Sequence, residues 1–158
     1  MVSLFRLDFR LLHYQTSQVW PPKVGANQIL VANDSVVNDS LRISLMKMAM
    51  PRSCSLKVLS IDDTIKYLNG EDSKDKKIEL LVDSTADALK LAQNVSELRY
   101  LNAGLMKGGE GKKLITPSLA FAPEDYDNYQ ALVDLGVTVE SFVTPDDRRV
   151  PITNYLRK

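Results

Sequence analysis

Short apolar runs alternate with helical segments along almost the whole of this 158-residue chain. The runs NQILVAND (27–34) and KIELLVD (77–83) are typical of strands buried on both faces, and each ends in residues that favour helix caps. Parallel strands are joined by crossover connections of about a dozen residues, which are usually helices. The alternation therefore predicts a three-layer α/β sandwich, in which a mostly parallel central sheet of about seven strands has helices on both faces.

Seven segments have the character of strands, and no linker or internal repeat divides them, so we expect a single domain over residues 1–158. The glycine-rich stretch MKGGEGKK (106–113) is short enough to be a turn, which predicts that the fifth and sixth strands are antiparallel. The last fourteen residues are expected to form a short tail. The predicted strands cover residues 2–9, 27–34, 55–60, 77–83, 98–105, 114–122 and 137–144.

Two kinds of signal mark the ends of the helices. The helix that begins with HYQTSQVW is expected to stop at Pro21 and Pro22, because proline lacks the N–H that an interior helical position donates. Ser60 and Ser84 each precede an aspartate by three residues, which predicts a side-chain cap at both serines.

The second helix carries apolar residues at helical spacing, and these are expected to face the core. Trp20, Met46 and Met50 are also expected to be core residues. The residues at helical spacing are Val37, Leu41, Leu45 and Met48.

The composition excludes several classes of function. Twenty basic and twenty acidic residues give no net charge, so nothing in the charge favours nucleic acid or an anionic membrane surface as a partner. Cys54 is the only cysteine, which excludes an intramolecular disulfide, leaves a thiol-rich metal site without ligands, and fits a reducing cytoplasm. No segment approaches 18 apolar residues, and charges interrupt the N-terminal segment, so we expect a cytoplasmic protein.

The stretch RLDFRLLHYQ (6–15) contains the only histidine of the chain, His13. It follows the first strand, and in open parallel sheets ligands bind at the carboxyl ends of strands, where loops lead into helix N-termini. A neutral imidazole can accept a phosphoryl group, while Arg6 and Arg10 can bind the phosphoryl oxygens and Asp8 can orient an arginine or the imidazole. This constellation requires no metal or cofactor. The alternative is that His13 caps a helix or bonds within a turn, and that the arginines are solvated or paired with Asp8.

A second candidate anion site is AGLMKGGEGKK (103–113), through its glycine N–H groups and Lys107, Lys112 or Lys113. The stretch does not have the spacing of a nucleotide P-loop, since Glu110 stands where that motif has lysine. A hairpin turn is the other interpretation. A nucleotide-binding or flavin-binding domain is disfavoured because no glycine-rich stretch follows the first strand.

Three stretches together resemble the IIB components of the mannose, fructose and sorbose family of the bacterial sugar phosphotransferase system. The family's phosphorylation motif is usually R-x-D-D-R-L-I-H-G-Q, and RLDFRLLHYQ matches it at six positions. The segments ANQILVANDSVVNDSLRISLMKMAMP (26–51) and LNAGLMKGGEGKKLIT (101–116) are similar to two further stretches of the family, so the resemblance covers nearly the whole chain. The matching motif positions are Arg6, Asp8, Arg10, Leu11, His13 and Gln15.

The resemblance implies that His13 takes a phosphoryl group from a phosphohistidine of the IIA (EIIA) component. His13 would then pass it to a sugar of the mannose, fructose, sorbose or N-acetylgalactosamine class during uptake through the membrane components EIIC and EIID. It also implies that Arg10 binds the phosphate, with contributions from Arg6, Asp8 and Gln15. A non-catalytic regulatory or binding domain, in which His13 is not phosphorylated, is the alternative.

Two positions depart from the family motif. Phe9 replaces its second aspartate and Tyr14 replaces its glycine, so the loop is more apolar and less flexible than usual. These aromatic residues are expected to flank His13 on a surface that contacts a partner protein. In the third stretch, Ala103 replaces one glycine of a pair that is common in the family.

Overall fold

The computed structural model describes residues 1–156 and contains a seven-stranded sheet and a separate hairpin. The strands are β1 Val2–Asp8, β2 Gln28–Ala32, β3 Ser55–Leu59, β4 Ile78–Val82, β5 Tyr100–Leu105, β6 Lys113–Thr116, β7 Leu119–Phe121, β8 Thr138–Ser141 and β9 Val150–Pro151. The sheet has the order β3-β2-β4-β1-β5-β8-β9, and every neighbouring pair is parallel except β8 and β9. The predicted mostly parallel sheet is thus confirmed.

Helices cover both faces of this sheet. Side chains of α3, α4 and α5 pack on one face in a large cluster around Leu80 and Leu101, whereas α1 and α2 lie on the other face, where Trp20 and Met46 are buried. The helices are α1 Trp20–Val24, α2 Ser40–Met48, α3 Ile61–Asn69, α4 Thr85–Asn94 and α5 Pro123–Asp134, with a π-helical turn at Gln15–Val19 and 3₁₀ turns at Val36–Asn38 and Ile152–Tyr155. No helix within residues 1–156 is long and apolar enough to span a membrane.

The antiparallel pairs are not where the sequence predicted them. β5 pairs with β1 and β8, both parallel, and the segment after the glycine-rich stretch folds back on itself as the hairpin β6–β7. The last fourteen residues are also not a simple tail, since Val150–Pro151 adds an antiparallel edge strand to β8. Pro151 is tolerated there because an edge strand has one side free of partners.

The prediction that Pro21 and Pro22 end the first helix is wrong. Both lie in the first turn of α1, directly after the π-helical turn. Proline is tolerated there because the first N–H groups of an α-helix have no acceptor within that helix. The helix ends instead at Gly25, whose φ of 68° is a left-handed C-terminal cap and whose N–H donates to the Pro21 carbonyl.

The predicted core face of α2 is wrong as well. Leu41, Leu45 and Met48 are exposed, and the helix packs through Ile43, Met46 and Met50 on its opposite side. Apolar residues at helical spacing occur on both sides of this helix, so periodicity alone does not decide which side faces the sheet. The predicted caps are confirmed, because the Ser60 and Ser84 hydroxyls accept the N–H groups of Asp63 and Asp87.

Candidate functional site

His13 lies in the loop that follows β1, close to the middle of the sheet's carboxyl edge. The loop begins with a tight turn in which the Leu11 N–H donates to the Asp8 carbonyl at 2.9 Å. Leu11 has φ of 56°, a left-handed conformation that costs a non-glycine residue roughly 1–2 kcal/mol. Its fully buried side chain and a hydrogen bond from the Thr16 hydroxyl to its carbonyl hold it there.

The imidazole of His13 is fixed by the carboxylate of Asp8. Nε2 lies 2.7 Å from Asp8 Oδ2, and Asp8 is fully buried. An ionised carboxylate only accepts hydrogen bonds, so this contact places the imidazole proton on Nε2. Nδ1 then carries the free lone pair of the neutral ring, and no residue within 1–156 forms a hydrogen bond with it.

Arg6 lies beneath Asp8 and is itself fully buried. Its Nε donates to Asp8 Oδ2 at 3.2 Å, and Nη2 lies 3.1 Å from the same oxygen as an ion-pair contact. Nη1 donates to the side-chain oxygen of Asn102 at 2.6 Å and to the Val143 carbonyl at 2.9 Å. Nη2 forms no hydrogen bond within residues 1–156. Burial lowers the pKa of Arg6, and the negative charge of Asp8 opposes this effect.

Gly104 gives the Arg6 side chain its space. A Cβ atom at position 104 would lie only 2.4 Å from Cζ of Arg6, closer than any side chain tolerates. The guanidinium also lies over the Trp20 ring, with Cζ 5.6 Å from the ring centroid. Strand β5 therefore supplies both a hydrogen-bond partner, Asn102, and a gap for this arginine.

The remaining motif residues occupy different positions. The Arg10 backbone N–H donates to Asp8 Oδ1 at 3.0 Å, while its exposed side chain forms no ion pair with any residue in the described part of the chain. Gln15 is half-buried in the π-helical turn, with a buried amide oxygen that has no partner within residues 1–156.

The glycine-rich stretch contributes to a cavity next to the loop. This cavity of about 430 Å³ is lined by Phe9, by Lys107 and Lys112, and by the first residues of α4 and α5. Both lysines are exposed, and Lys112 Nζ donates to the Lys107 carbonyl at 2.9 Å. Lys113 lies on β6 and faces a different cavity. The residues 1–156 contain no group of three or more His, Cys, Asp or Glu side chains that could hold a metal ion.

Sequence reasoning missed three residues of this region. Thr16 accepts the His13 N–H at 2.9 Å, and Asn102 binds Arg6 across the β1–β5 pair. Glu79 is buried on β4 with both carboxylate oxygens unpartnered among the described residues, and burial raises its pKa to about 9. A charged residue inside the apolar run KIELLVD was the available signal for Glu79.

Comparison with known proteins identifies the family of this chain. The model of the sorbose-subfamily IIB component of the phosphotransferase system (PTS) matches residues 2–158. The sorbose-specific EIIB component of Klebsiella pneumoniae is 28% identical over 99% of this chain and 96% of its own. A probable phosphotransferase enzyme IIB component of Streptococcus pyogenes is 31% identical, and the match covers 99% of each chain.

Solved structures show the same fold. The crystal structure of the IIBSor domain of the Klebsiella pneumoniae sorbose permease has a TM-score of 0.94 over 99% of this chain and 96% of that chain, at 28% identity. An N-acetylgalactosamine IIB component from Streptococcus pyogenes has a TM-score of 0.90 over 98% and 96%, also at 28% identity. The chain therefore belongs to the sorbose-subfamily IIB components of the phosphotransferase system, the sugar-specific IIB proteins of the sorbose, N-acetylgalactosamine and mannose class.

Proposed function

We propose that Nδ1 of His13 accepts a phosphoryl group from a phosphohistidine of an EIIA component and transfers it to a sugar. IIB components of this system are phosphotransferases that work with EIIA and with a membrane permease of EIIC and EIID. The observation that carries the proposal is the 2.7 Å contact between His13 Nε2 and Asp8, because it leaves the lone pair of Nδ1 for the incoming phosphorus.

Both steps are in-line displacements at phosphorus. In the first, the lone pair of Nδ1 forms a bond to the phosphorus while the P–N bond to the donor histidine breaks and its electron pair returns to that ring. In the second, a sugar hydroxyl oxygen forms the new P–O bond, the P–Nδ1 bond breaks, and the hydroxyl proton leaves to solvent or a base in the permease. Such transfers depend mainly on position and on electrostatic stabilisation of the phosphoryl oxygens.

Asp8 fits the role of a positioning residue in this scheme. Phosphorylation of Nδ1 gives the ring a positive charge when Nε2 keeps its proton, and the carboxylate stabilises that charge at 2.7 Å. Arg6 is buried behind Asp8. We therefore infer that Arg6 holds Asp8 in place and does not contact the phosphate directly. Arg10 is the exposed cation of the loop and the best candidate for binding the phosphoryl oxygens.

Gln15, Lys107 and Lys112 are further candidates for contact with the phosphoryl group. The buried Gln15 oxygen cannot bind a phosphoryl oxygen unless that oxygen is protonated, so only its amide N–H groups can serve. Lys107 and Lys112 line the same cavity as Phe9. We infer that the protein works at the cytoplasmic face of the permease, on a sugar of the mannose, fructose, sorbose or N-acetylgalactosamine class. The names of its relatives include sorbose, N-acetylgalactosamine and mannose.

The test is phosphoryl transfer with defined components. The protein is incubated with phosphoenolpyruvate, the general phosphocarrier proteins and a cognate EIIA component, and phosphate incorporation is measured at alkaline and acid pH. One acid-labile phosphate per chain is expected, and His13→Ala should take up none. Incorporation that persists in His13→Ala, or no incorporation in the unaltered protein, would contradict the proposal.

A further inference from the structure

An apolar stripe on α2 remains exposed next to the His13 loop. Leu41, Leu45 and Met48 are 71%, 58% and 83% exposed, and their spacing places them on the outer face of the helix. The opposite face of α2 packs on the sheet, so the described part of the chain does not cover this stripe. Large apolar side chains exposed in a contiguous group mark interaction surfaces.

The stripe continues towards His13. Tyr14, directly after His13, is 71% exposed, and Gln18 follows it one helical turn later. The Gln18 amide donates to the Ala49 carbonyl at 3.2 Å, which joins the π-helical turn to the end of α2 beside Met48. Tyr14, Gln18 and the stripe thus form one band leading away from His13, which we call the apolar band (Tyr14, Gln18, Leu41, Leu45 and Met48).

The segment that carries the exposed stripe is rich in positive charge. Residues 40–52 contain three basic residues and no acidic one, although Asp39 caps the start of the helix. Of these, Lys47 and Arg52 are exposed and form no ion pair with residues in the described range, and the same holds for Arg10 in the His13 loop. Such a rim is complementary to a partner that carries a phosphoryl group and an acidic surface.

We propose that the apolar band is the docking surface for the phosphohistidine-bearing donor protein, the EIIA component. This inference rests on the proposed function, since a donor that brings phosphorus to Nδ1 of His13 has to cover Tyr14. A second copy of this chain seated on the band would block His13 from its donor and its acceptor. The cytoplasmic loops of membrane proteins carry an excess of lysine and arginine, so the positive rim fits the permease less well.

The test separates docking from chemistry with two phosphoryl donors. Leu41→Gln, Leu45→Gln and Met48→Gln are combined, because glutamine keeps the helix propensity while removing the apolar surface. The matched control is Leu114→Gln with Leu135→Gln, two exposed leucines on β6 and after α5. Each protein is phosphorylated by the phosphorylated EIIA component at varied concentration, and separately by phosphoramidate, a small molecule with a reactive P–N bond.

We expect the triple variant to need at least about tenfold more EIIA component for half-maximal transfer. Labelling of His13 by phosphoramidate and transfer onward to sugar through permease-containing vesicles should stay within twofold of the control. Unchanged EIIA dependence overturns the proposal, as does a defect confined to the permease step. A dimer of the unaltered protein that the triple variant abolishes, in sedimentation velocity, would assign the band to self-association instead. Failure of EIIA to label unaltered His13 would overturn the proposed function itself.

Discussion

A fully buried arginine is costly unless its charge is paired. Arg6 forms an ion pair with Asp8 and donates hydrogen bonds to Asp8, Asn102 and a backbone carbonyl. Asp8 in turn is the only residue that holds Nε2 of His13 within the described structure. At the scale of single residues, the buried arginine determines the orientation of the imidazole through one carboxylate. This arrangement makes the site sensitive to changes that never touch the phosphoryl group.

Asp8→Asn tests the carboxylate directly. The amide cannot balance the imidazolium charge that forms on phosphorylation, so we expect phosphoryl transfer to His13 to slow at least about tenfold, or about 1.4 kcal/mol in activation free energy. The rate of phosphorylation by the EIIA component measures this effect. Asp134→Asn, at the exposed end of α5, is the matched control and should transfer at the normal rate. Equal rates in the two variants would show that the Asp8 charge is dispensable.

Gly104→Ala tests the space that β5 leaves for Arg6. The added Cβ would approach Arg6 Cζ to 2.4 Å, so the guanidinium has to move and Asp8 loses its support. We expect slower phosphorylation of His13 and a melting temperature lower by several degrees, about 1–3 kcal/mol of overpacking.

A double-mutant cycle distinguishes this cause from general damage to the strand. If Gly104 serves only to admit Arg6, then Gly104→Ala adds little to the effect of Arg6→Leu, and the two changes are not additive. Additive losses in both the transfer rate and the melting temperature would contradict the account of Gly104.

At the scale of elements, local chemistry predicted the two serine caps, but it predicted neither the end of the first helix nor the buried face of α2. The Ser60 and Ser84 caps depend on one hydroxyl and one N–H three residues away, so the sequence contains the whole interaction. The buried face of α2 depends on where the helix lies against β2 and β4, which its own periodicity does not contain. Its two apolar sides have different partners: the sheet on one side and, in our proposal, the donor protein on the other.

Ser60→Ala is expected to lower the stability of the protein without affecting its chemistry. The loss of the cap leaves the Asp63 N–H without its acceptor, which costs about 1 kcal/mol of unfolding free energy. Urea unfolding measures this loss, and the rate of His13 phosphorylation by the EIIA component should be unchanged. A stability equal to that of the unaltered protein would mean that the cap contributes nothing.

At the scale of the whole molecule, the sheet order builds the site from distant parts of the chain. Strand β1 lies between β4 and β5, so Arg6 meets Asn102 and Gly104, nearly one hundred residues later. The sequence predicted the mostly parallel sheet from its alternation. The motif placed Arg6 and Asp8 near the end of the first strand and His13 directly after that strand. It did not predict the contact with Asn102, because strand order depends on crossovers that leave no local signal.

Glu79 links the buried charges to the stability of the whole protein. Burial raises the pKa of Glu79 to about 9, whereas the unfolded chain releases this proton near the ordinary value of 4.5. Between these two pH values the folded state binds one more proton than the unfolded state, so the unfolding free energy falls as pH rises. Below pH 4.5 both states hold the proton, and the stability linked to it is fully present.

Glu79→Gln is therefore expected to flatten the pH dependence of stability. The unaltered protein should lose on the order of a few kcal/mol of unfolding free energy between about pH 5 and pH 9, and the variant should lose less, because glutamine does not ionise. Urea unfolding at a series of pH values measures the two slopes. Parallel slopes would show that Glu79 ionises normally in the folded protein.

The central claim is that Asp8 holds the proton on Nε2 of His13 and leaves Nδ1 to take the phosphoryl group. Because His13 is the only histidine, labelling with ¹⁵N-histidine reports on this one ring by NMR. Before phosphorylation we expect a protonated Nε2 and an unprotonated Nδ1; after phosphorylation by the EIIA component, we expect coupling between phosphorus and Nδ1. Coupling to Nε2, or a proton on Nδ1 of the unmodified ring, would contradict the account.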